Sequence, residues 1–203
     1  MKRTLTALLL SLTLLLTLTA PASALEVPTF EKVNVYTSGQ FDDVPAGSRW
    51  ADNVQAVCEF GLMGGLTADV FDTEGILTIA QAAAMACRLH SAYCSAEPDL
   101  AEMVSAGGSP WYKPYLDYAI AHEFASFDNV DNFNAPITRG DFAVMVYKAF
   151  GLSPMGSGRF NDVPSSAYYA QAVNTLSALG IVSGIGGGAY GPDYTLTRED
   201  AIC

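Results

Sequence analysis

Basic residues are scarce in this chain, and so are histidines and long apolar segments. Ten Lys and Arg residues stand against 21 Asp and Glu residues among 203, which gives a formal net charge of −11. Binding to the phosphates of nucleic acid needs clustered Lys and Arg, so nucleic acid is excluded as a partner. Beyond residue 24, no uninterrupted apolar run reaches the roughly 18 residues of a membrane-spanning helix, and no integral membrane span is expected there.

Motifs of catalysis are missing as well. The chain has two histidines, His90 and His122, and contains no Gly-x-Ser-x-Gly, His-Glu-x-x-His or phosphate-binding loop. Carboxylates are so numerous that no particular pair of them indicates an acid and a base. The sequence therefore predicts a protein that is not an enzyme and that needs no cofactor.

The four cysteines could form disulfides in an exported chain or serve as buried thiols. Cys58 and Cys87 lie on predicted apolar helix faces, where small buried thiols are common. The pairing of these two with Cys94 and Cys203 cannot be read from sequence, so the disulfide state stays open. Cys87, His90 and Cys94 share a helical face at a spacing that zinc could use, but no further ligand is evident nearby. We therefore predict no metal site.

The first 24 residues have the pattern of a secretory signal peptide. Lys2 and Arg3 precede a leucine-rich run from Leu8 to Leu18, and Ala22-Ser23-Ala24 supplies the small residues of a cleavage site. The apolar run is too short and wrongly flanked for a membrane span. We expect a secreted chain that begins near Leu25.

Three segments of the chain repeat one another. Thr78, Thr138 and Thr197 lie 60 and 59 residues apart, each at the start of a predicted helix. The sequence Phe-Asp-Asp-Val-Pro at 41–45 returns 119 residues later as Phe-Asn-Asp-Val-Pro at 160–164. Such a period is typical of stacked units that cannot bury an apolar face alone. The predicted organisation is a signal peptide (1–24), a leader (25–40) and three repeats (41–94, 95–152 and 153–203).

Each repeat is predicted to consist of a helix, a loop and a second helix. The first helix begins near Trp50 and ends at Gly61, and the third repeat follows the same pattern up to Gly180. A loop rich in Gly, Asp and Asn then leads to the capping threonine. Thr78 and Gln81 form a capping box, which the other two repeats replace with a shorter and weaker Asp version.

Two repeats depart from this pattern. The middle repeat has Glu123 and Phe127 where the others have glycine, so its loop is expected to follow another path. The third repeat has five residues after Arg198, too few for a helix that is stable by itself. We therefore expect the chain to be a fragment whose last helix packs poorly.

Arg139 and Arg198 follow directly on two of the caps, at the first helical position. The helix macrodipole disfavours a cation there by up to about 1 kcal/mol, so local helix stability does not explain the choice. An Arg side chain beside free backbone N–H groups would form a site for a carboxylate or a phosphate. The alternative is a salt bridge to a neighbouring acid. The candidate acids are Glu199, Asp193 and Asp162.

Glycines and acids recur around the same loops. Gly65 and Gly184 could serve a tight turn or let the backbone approach a ligand closely. Asp43 and Asp162 precede the first helix and are expected to hold the entry turn through bonds to backbone N–H groups. A direct ligand role for these two acids is the less favoured interpretation.

Aromatic residues at the starts of the first helices could stack on sugar rings or fill the core. Aromatic side chains at this position of an amphipathic helix usually belong to the core, and we interpret Trp50 and Tyr169 in this way. The other aromatic residues of this group are Trp111, Tyr112 and Tyr168.

The motifs of this chain resemble those of the S-layer homology repeat. They are Phe-x-Asp-Val-Pro, an aromatic residue before the first helix, Gly-Ile-Val-Ser-Gly, Tyr-Gly-Pro-Asp and Leu-Thr-Arg-Glu. The resemblance spans residues 41–203, is most specific in the third repeat, and in the second rests on Ile137-Thr138-Arg139 and the period. It implies an all-α fold in which three helix-loop-helix repeats form a pseudo-threefold helical prism.

The resemblance also implies a function. Members of this family are non-catalytic anchors that bind anionic, often pyruvylated, cell-wall polysaccharide in grooves between repeats. The chain is thus expected in the cell wall or S-layer of a bacterium, with other S-layer subunits as candidate partners. Two alternatives stay open. One is a structural or protein-interaction module that keeps the fold without binding glycan, and the other is the anchor of an exported hydrolase.

The family's Thr-Arg-Glu motif falls on Thr138-Arg139-Gly140 and on Thr197-Arg198-Glu199, whose arginines would hold the acidic group of the ligand. The first repeat has Ile79 after Thr78, so fewer than three grooves are expected to work. The candidate ligand-binding residues are Arg139, Arg198, Thr138, Thr197, Gly184, Gly65, Asp162, Asp43 and Trp111.

Overall fold

The structure is a computed structural model that describes residues 31–94, 99–125, 127 and 129–203. The predicted signal peptide and the start of the leader therefore lie outside the described residues. The helices of the described part are α1 (Ala51–Glu59), α2 (Ile79–Tyr93), α3 (Leu100–Ser105), α4 (Lys113–Ala121), α5 (Arg139–Ala149), α6 (Ala170–Ala178) and α7 (Arg198–Ile202). The predicted all-α class is confirmed, whereas the closed prism stays a prediction. None of the described helices has the length and apolar character to cross a membrane.

The three threonines are the N-caps of α2, α5 and α7. Thr78 and Gln81 form the predicted capping box, and Thr138 accepts a hydrogen bond from the backbone N–H of Asp141. Thr197 and Asp200 also form a complete capping box, so the shorter acid does not weaken this cap as expected. The caps fix where each second helix begins.

Three residues directly before the caps hold the segments together through a closed ring of backbone hydrogen bonds. Leu77 N donates to Leu196 O (2.9 Å), Leu196 N donates to Ile137 O (3.1 Å), and Ile137 N donates to Leu77 O (3.0 Å). Their exposed fractions are 0%, 3% and 1%, respectively, and all three lie in one hydrophobic cluster with Phe41. Each of the three predicted repeats (segment 1, 41–94; segment 2, 95–152; segment 3, 153–203) therefore contributes one residue to a common buried centre.

The first helical turns extend this cyclic arrangement. In α2, α5 and α7, the first two backbone N–H groups donate to carbonyl oxygens in the loop of another segment. The pairs are Ile79 to Ala135 (3.0 Å), Ala80 to Phe133 (2.9 Å), Arg139 to Tyr194 (2.8 Å), Gly140 to Pro192 (2.9 Å), Arg198 to Gly75 (2.8 Å) and Glu199 to Thr73 (2.9 Å). Segment 1 thus contacts segment 2, segment 2 contacts segment 3, and segment 3 contacts segment 1.

The short helix α7 is packed despite its length. Ala201 and Ile202 contact the same hydrophobic cluster as the central ring, and Arg198 is only 3% exposed. The prediction that this segment packs poorly does not hold, because the cap and the contacts to segment 1 do not depend on later turns. An apolar cavity of about 540 Å³ lies between α1, α2, α5, α6 and α7, and its lining includes Ile202 and Arg139.

The helix α3 was not predicted from sequence, and the disulfide state of the four cysteines was left open. Asp99 caps α3 by accepting bonds from Ala101 N and Glu102 N, and Leu100 is buried against α4.

All four cysteines are free, and the Cys87 thiol donates to Tyr115 O at 3.1 Å. Burial raises the pKa of Cys87 to about 12, which keeps this thiol protonated and unreactive near neutral pH.

The turn after the first helix is the same in all three segments. Gly61 and Gly180 have φ values of 66° and 74°, and Glu123 has a φ of 58° at the corresponding position. In each case this residue donates its N–H to the carbonyl three residues earlier. The expected divergence of the middle loop is therefore wrong at this turn, because Glu123 adopts the left-handed conformation that glycine adopts without strain.

We expect Glu123→Gly to raise the free energy of unfolding by about 1 kcal/mol, because glycine adopts the left-handed conformation without the backbone strain that a Cβ causes. The converse change, Gly180→Ala, adds a Cβ that meets no atom within 4 Å. It therefore introduces the left-handed backbone strain without a steric clash, and should lower the free energy of unfolding. Urea unfolding followed by circular dichroism measures both. A loss of stability in Glu123→Gly would contradict the strain argument.

Candidate functional site

Arg198 joins segment 3 to segment 1. Its Nε donates to Phe71 O (2.9 Å), its Nη2 donates to Gly64 O (2.6 Å), and its guanidinium lies 4.7 Å from the centre of the Phe71 ring. Burial lowers the pKa of this guanidinium, and the carboxylates of Asp72 and Asp43 oppose that effect. The side chain is only 3% exposed, so in this conformation it is enclosed by segment 1.

Arg139 joins segment 2 to segment 3 in the same way. Its Nε donates to Tyr190 O (3.1 Å), its Nη2 donates to Ser183 O (2.9 Å), and its guanidinium lies 4.6 Å from the centre of the Tyr190 ring. Unlike Arg198, this residue is partly exposed, and it belongs to the lining of the apolar cavity. The two arginines therefore share one geometry but differ in access to solvent.

Neither sequence interpretation of these arginines describes their surroundings fully. None of the ion pairs among the described residues includes Arg139 or Arg198, so the predicted salt bridge to a neighbouring acid is not formed. The predicted free backbone N–H groups are also absent from the first turns described above. In α7, for example, Thr197 N donates to Asp200 and Asp200 N donates to Thr197, while the two amides between them bond to segment 1.

Asp43 and Asp162 hold the loops that receive the arginines. Asp43 accepts bonds from Phe71 N (2.8 Å) and Asp72 N (2.6 Å). Asp162 does the same with the backbone of segment 3, at Tyr190 N (2.8 Å) and Gly191 N (2.7 Å). Both acids accept from backbone N–H groups as predicted, but these bonds reach about 28 residues ahead, to the loop before the capping threonine, rather than to the entry turn.

The electrostatics of Asp162 link it to Arg139. Burial alone raises the pKa of Asp162, but the N–H groups of Tyr190 and Gly191 and the nearby Arg139 cation outweigh it and hold the pKa below its ordinary value. Asp43 is likewise held below its ordinary pKa by backbone N–H groups, against the effect of burial. Both side chains are therefore charged near neutral pH.

Gly65 and Gly184 are required by packing. A Cβ on Gly65 would lie 2.5 Å from the Phe41 ring and 2.5 Å from Thr67 O. A Cβ on Gly184 would lie 2.8 Å from the Phe160 ring and 2.5 Å from Ala189 O. These glycines let each loop pass close to the phenylalanine of the Phe-x-Asp-Val-Pro motif, and they bring Gly64 O and Ser183 O within reach of the arginines.

The aromatic residues at the helix starts take different positions. Trp50 and Tyr169 are partly buried and pack against hydrophobic clusters, in line with their core interpretation. Tyr168 is 70% exposed and donates its hydroxyl proton to Asp141 Oδ1 at 2.6 Å. Trp111 is 53% exposed, and its ring contacts are with Tyr112 and Tyr115 rather than with either arginine.

The structure brings most of the predicted site residues together in two equivalent groups. One contains Arg139, Thr138, Asp162 and Gly184, and the other contains Arg198, Thr197, Asp43 and Gly65. The acceptors and rings that receive the arginines were not predicted from sequence. They are Gly64, Phe71, Ser183 and Tyr190, and their 119-residue spacing is the signal that could have revealed them.

Comparison with known proteins finds two similarities for this chain. Residues 159–202 match the model of the S-layer homology domain, so the resemblance is confirmed over these residues. The chain is also similar to the Surface-layer 125 kDa protein of Lysinibacillus sphaericus, with 36% identity over 112 residues. The alignment covers 52% of this chain and 9% of that protein, so the chain spans less than a tenth of its relative. Both findings support a cell-surface module.

Replacing Arg198 with Ala should lower the free energy of unfolding by about 2–4 kcal/mol, because the buried carbonyl of Phe71 and the part-buried carbonyl of Gly64 lose a charged donor. Arg49→Ala is the matched control. It removes the ion pair to Glu199 (3.3 Å), which is exposed on the Arg49 side, and should cost no more than about 1 kcal/mol. Urea unfolding measures both variants. Equal losses for the two would contradict the role of Arg198 in joining segments 3 and 1.

Proposed function

We propose that this chain is a non-catalytic module that anchors a bacterial surface protein by binding an anionic cell-wall polysaccharide. The observation that carries the proposal is the partly exposed cation of Arg139 at the contact between segments 2 and 3. Two carbonyl groups and the Tyr190 ring hold its guanidinium in place, and Nη1 has no hydrogen-bond partner among the described residues. A planar guanidinium that is held in place and has an unused N–H donor is suited to binding a carboxylate on a sugar.

The residues around Arg139 serve to position it. Asp162 holds the backbone at Tyr190, Gly184 allows the loop to approach, and Thr138 fixes the start of α5. The carboxylates of Asp162 and Asp141 lie in the same region and would repel a ligand with dense negative charge. The proposed ligand therefore carries isolated acidic groups on an otherwise neutral, hydroxyl-rich chain, with Tyr168 available as an exposed ring for stacking.

The three contacts between segments are proposed to differ in function. Arg198 is enclosed, and the ion pair between Arg49 and Glu199 lies beside it, so this contact serves mainly the fold. The contact between segments 1 and 2 has Ile79 at the equivalent position and lacks the cation. Trp111, at the start of α4, could supply a neutral stacking surface there. Binding of an acidic glycan then depends chiefly on Arg139.

Retention of the chain on purified cell walls tests this proposal, with walls of Lysinibacillus sphaericus as a first choice because the similar surface-layer protein comes from that organism. Arg139→Ala should weaken retention about tenfold or more, as expected for the loss of a hydrogen bond to a charged group. Lys148→Ala removes the same charge from an exposed position of α5 and should bind like the unaltered chain.

Equal retention of the Arg139 and Lys148 variants would exclude Arg139 as the ligand-binding cation. If walls from several bacteria fail to retain even the unaltered chain, the structural or protein-interaction module becomes the better account. Circular dichroism of each variant separates a loss of binding from a loss of fold.

A further inference from the structure

The leader builds a second pocket on segment 1, away from Arg139. Val33 N and Asn34 N both donate to Glu59 O, at 2.8 and 3.0 Å, and Asn34 Nδ2 donates to Cys58 O at 2.9 Å. An ion pair of 2.5 Å between Lys32 and Glu59 adds to these contacts. Residues 33–34 thereby bind the carbonyl groups of Cys58 and Glu59 at the C-terminal end of α1. This fixes the leader beside the glycine-containing loop of segment 1.

The space between the leader and this loop is a polar cavity of about 430 Å³. Its wall includes Asn34 and Gln40 from the leader, Gly64 and Gly65 from the loop, and Arg88 from α2. The Gln40 side chain is exposed and has no hydrogen-bond partner among the described residues. The volume lies in the range of small-molecule sites, and its lining is more polar than that of a packing defect.

Arg88 gives this cavity a fixed positive charge. Its Nη1 donates to Leu62 O (3.2 Å), its Nη2 donates to the hydroxyl of Tyr115 (2.8 Å), and its guanidinium lies 5.0 Å from the centre of the Tyr115 ring. None of the ion pairs among the described residues includes Arg88. In a chain with 21 acids and ten Lys and Arg residues, a held cation without a carboxylate partner in a polar cavity favours an anionic occupant.

We propose that this pocket binds a small hydroxylated carboxylate of the size of one sugar acid. The guanidinium of Arg88 would bind the carboxylate, and the amides of Asn34 and Gln40 would bind hydroxyl groups. The site lies within segment 1 and its leader, whereas the Arg139 contact lies between segments 2 and 3. It is therefore an additional site that does not require the proposed wall-binding function.

Nuclear magnetic resonance of the full chain tests the pocket with glucuronate as the probe and glucose as the neutral comparison. The amide signals of Gly64 and Gly65 should shift saturably with glucuronate and much less with glucose. Arg88→Gln should weaken the apparent affinity about tenfold or more, because a charged donor is lost. Lys148→Gln places the same charge change at the equivalent position of α5, ten residues after its cap, and should leave the titration unchanged.

Arg88 also contacts Leu62 and Tyr115, so its replacement could disturb the fold. Gln40→Glu avoids this difficulty, because it places a negative charge in the pocket wall at an exposed side chain. It should weaken glucuronate binding by about tenfold as well, through repulsion of the carboxylate. Failure of glucuronate to shift the two glycine signals, or equal affinities in the unaltered chain and in Gln40→Glu, would overturn the proposal.

Discussion

The ring of hydrogen bonds among Leu77, Ile137 and Leu196 is the constraint on which the rest of this structure depends. Each residue donates its N–H to one of the other two and accepts from the remaining one, so three segments distant in sequence are joined at one buried point. Buried backbone N–H and C=O groups are costly to leave unpaired. Displacement of one segment would therefore leave such groups of the other two without hydrogen-bond partners or expose them to solvent. The ring also sets the register of the caps that follow directly on it.

That register explains how Arg can follow a helix cap. A cation at the first helical position opposes the helix macrodipole, but here the guanidinium of Arg139 or Arg198 extends to two carbonyl oxygens in another segment. The same carbonyl-rich loops accept the first helical N–H groups. The helix start, its first residue and the receiving loop thus form one type of contact between segments. Two of the three contacts have Arg at the first helical position, and the third has Ile79. Differences in exposure between these contacts then decide which of them can meet a ligand.

The elements with local side-chain signals could be predicted from sequence. Threonine caps need a side-chain oxygen, and the turn after α1 or α6 favours glycine, so both were found at the right residues. The backbone ring could not be predicted, since carbonyl groups have no sequence signature and their partners in this ring lie 59, 60 and 119 residues away. The burial of Arg198 was missed for the same reason. The left-handed turn at Glu123 was misjudged because a non-glycine residue can adopt it at a modest cost.

Amide hydrogen exchange at the three ring residues tests the central claim most directly. If the ring joins all segments, the amides of Leu77, Ile137 and Leu196 should open with one common free energy, equal to that of global unfolding in denaturant. Each should also lose protection in parallel as denaturant is added. Exchange of any one of the three through an opening that leaves the other two protected would contradict the account, because the segments would then be held independently.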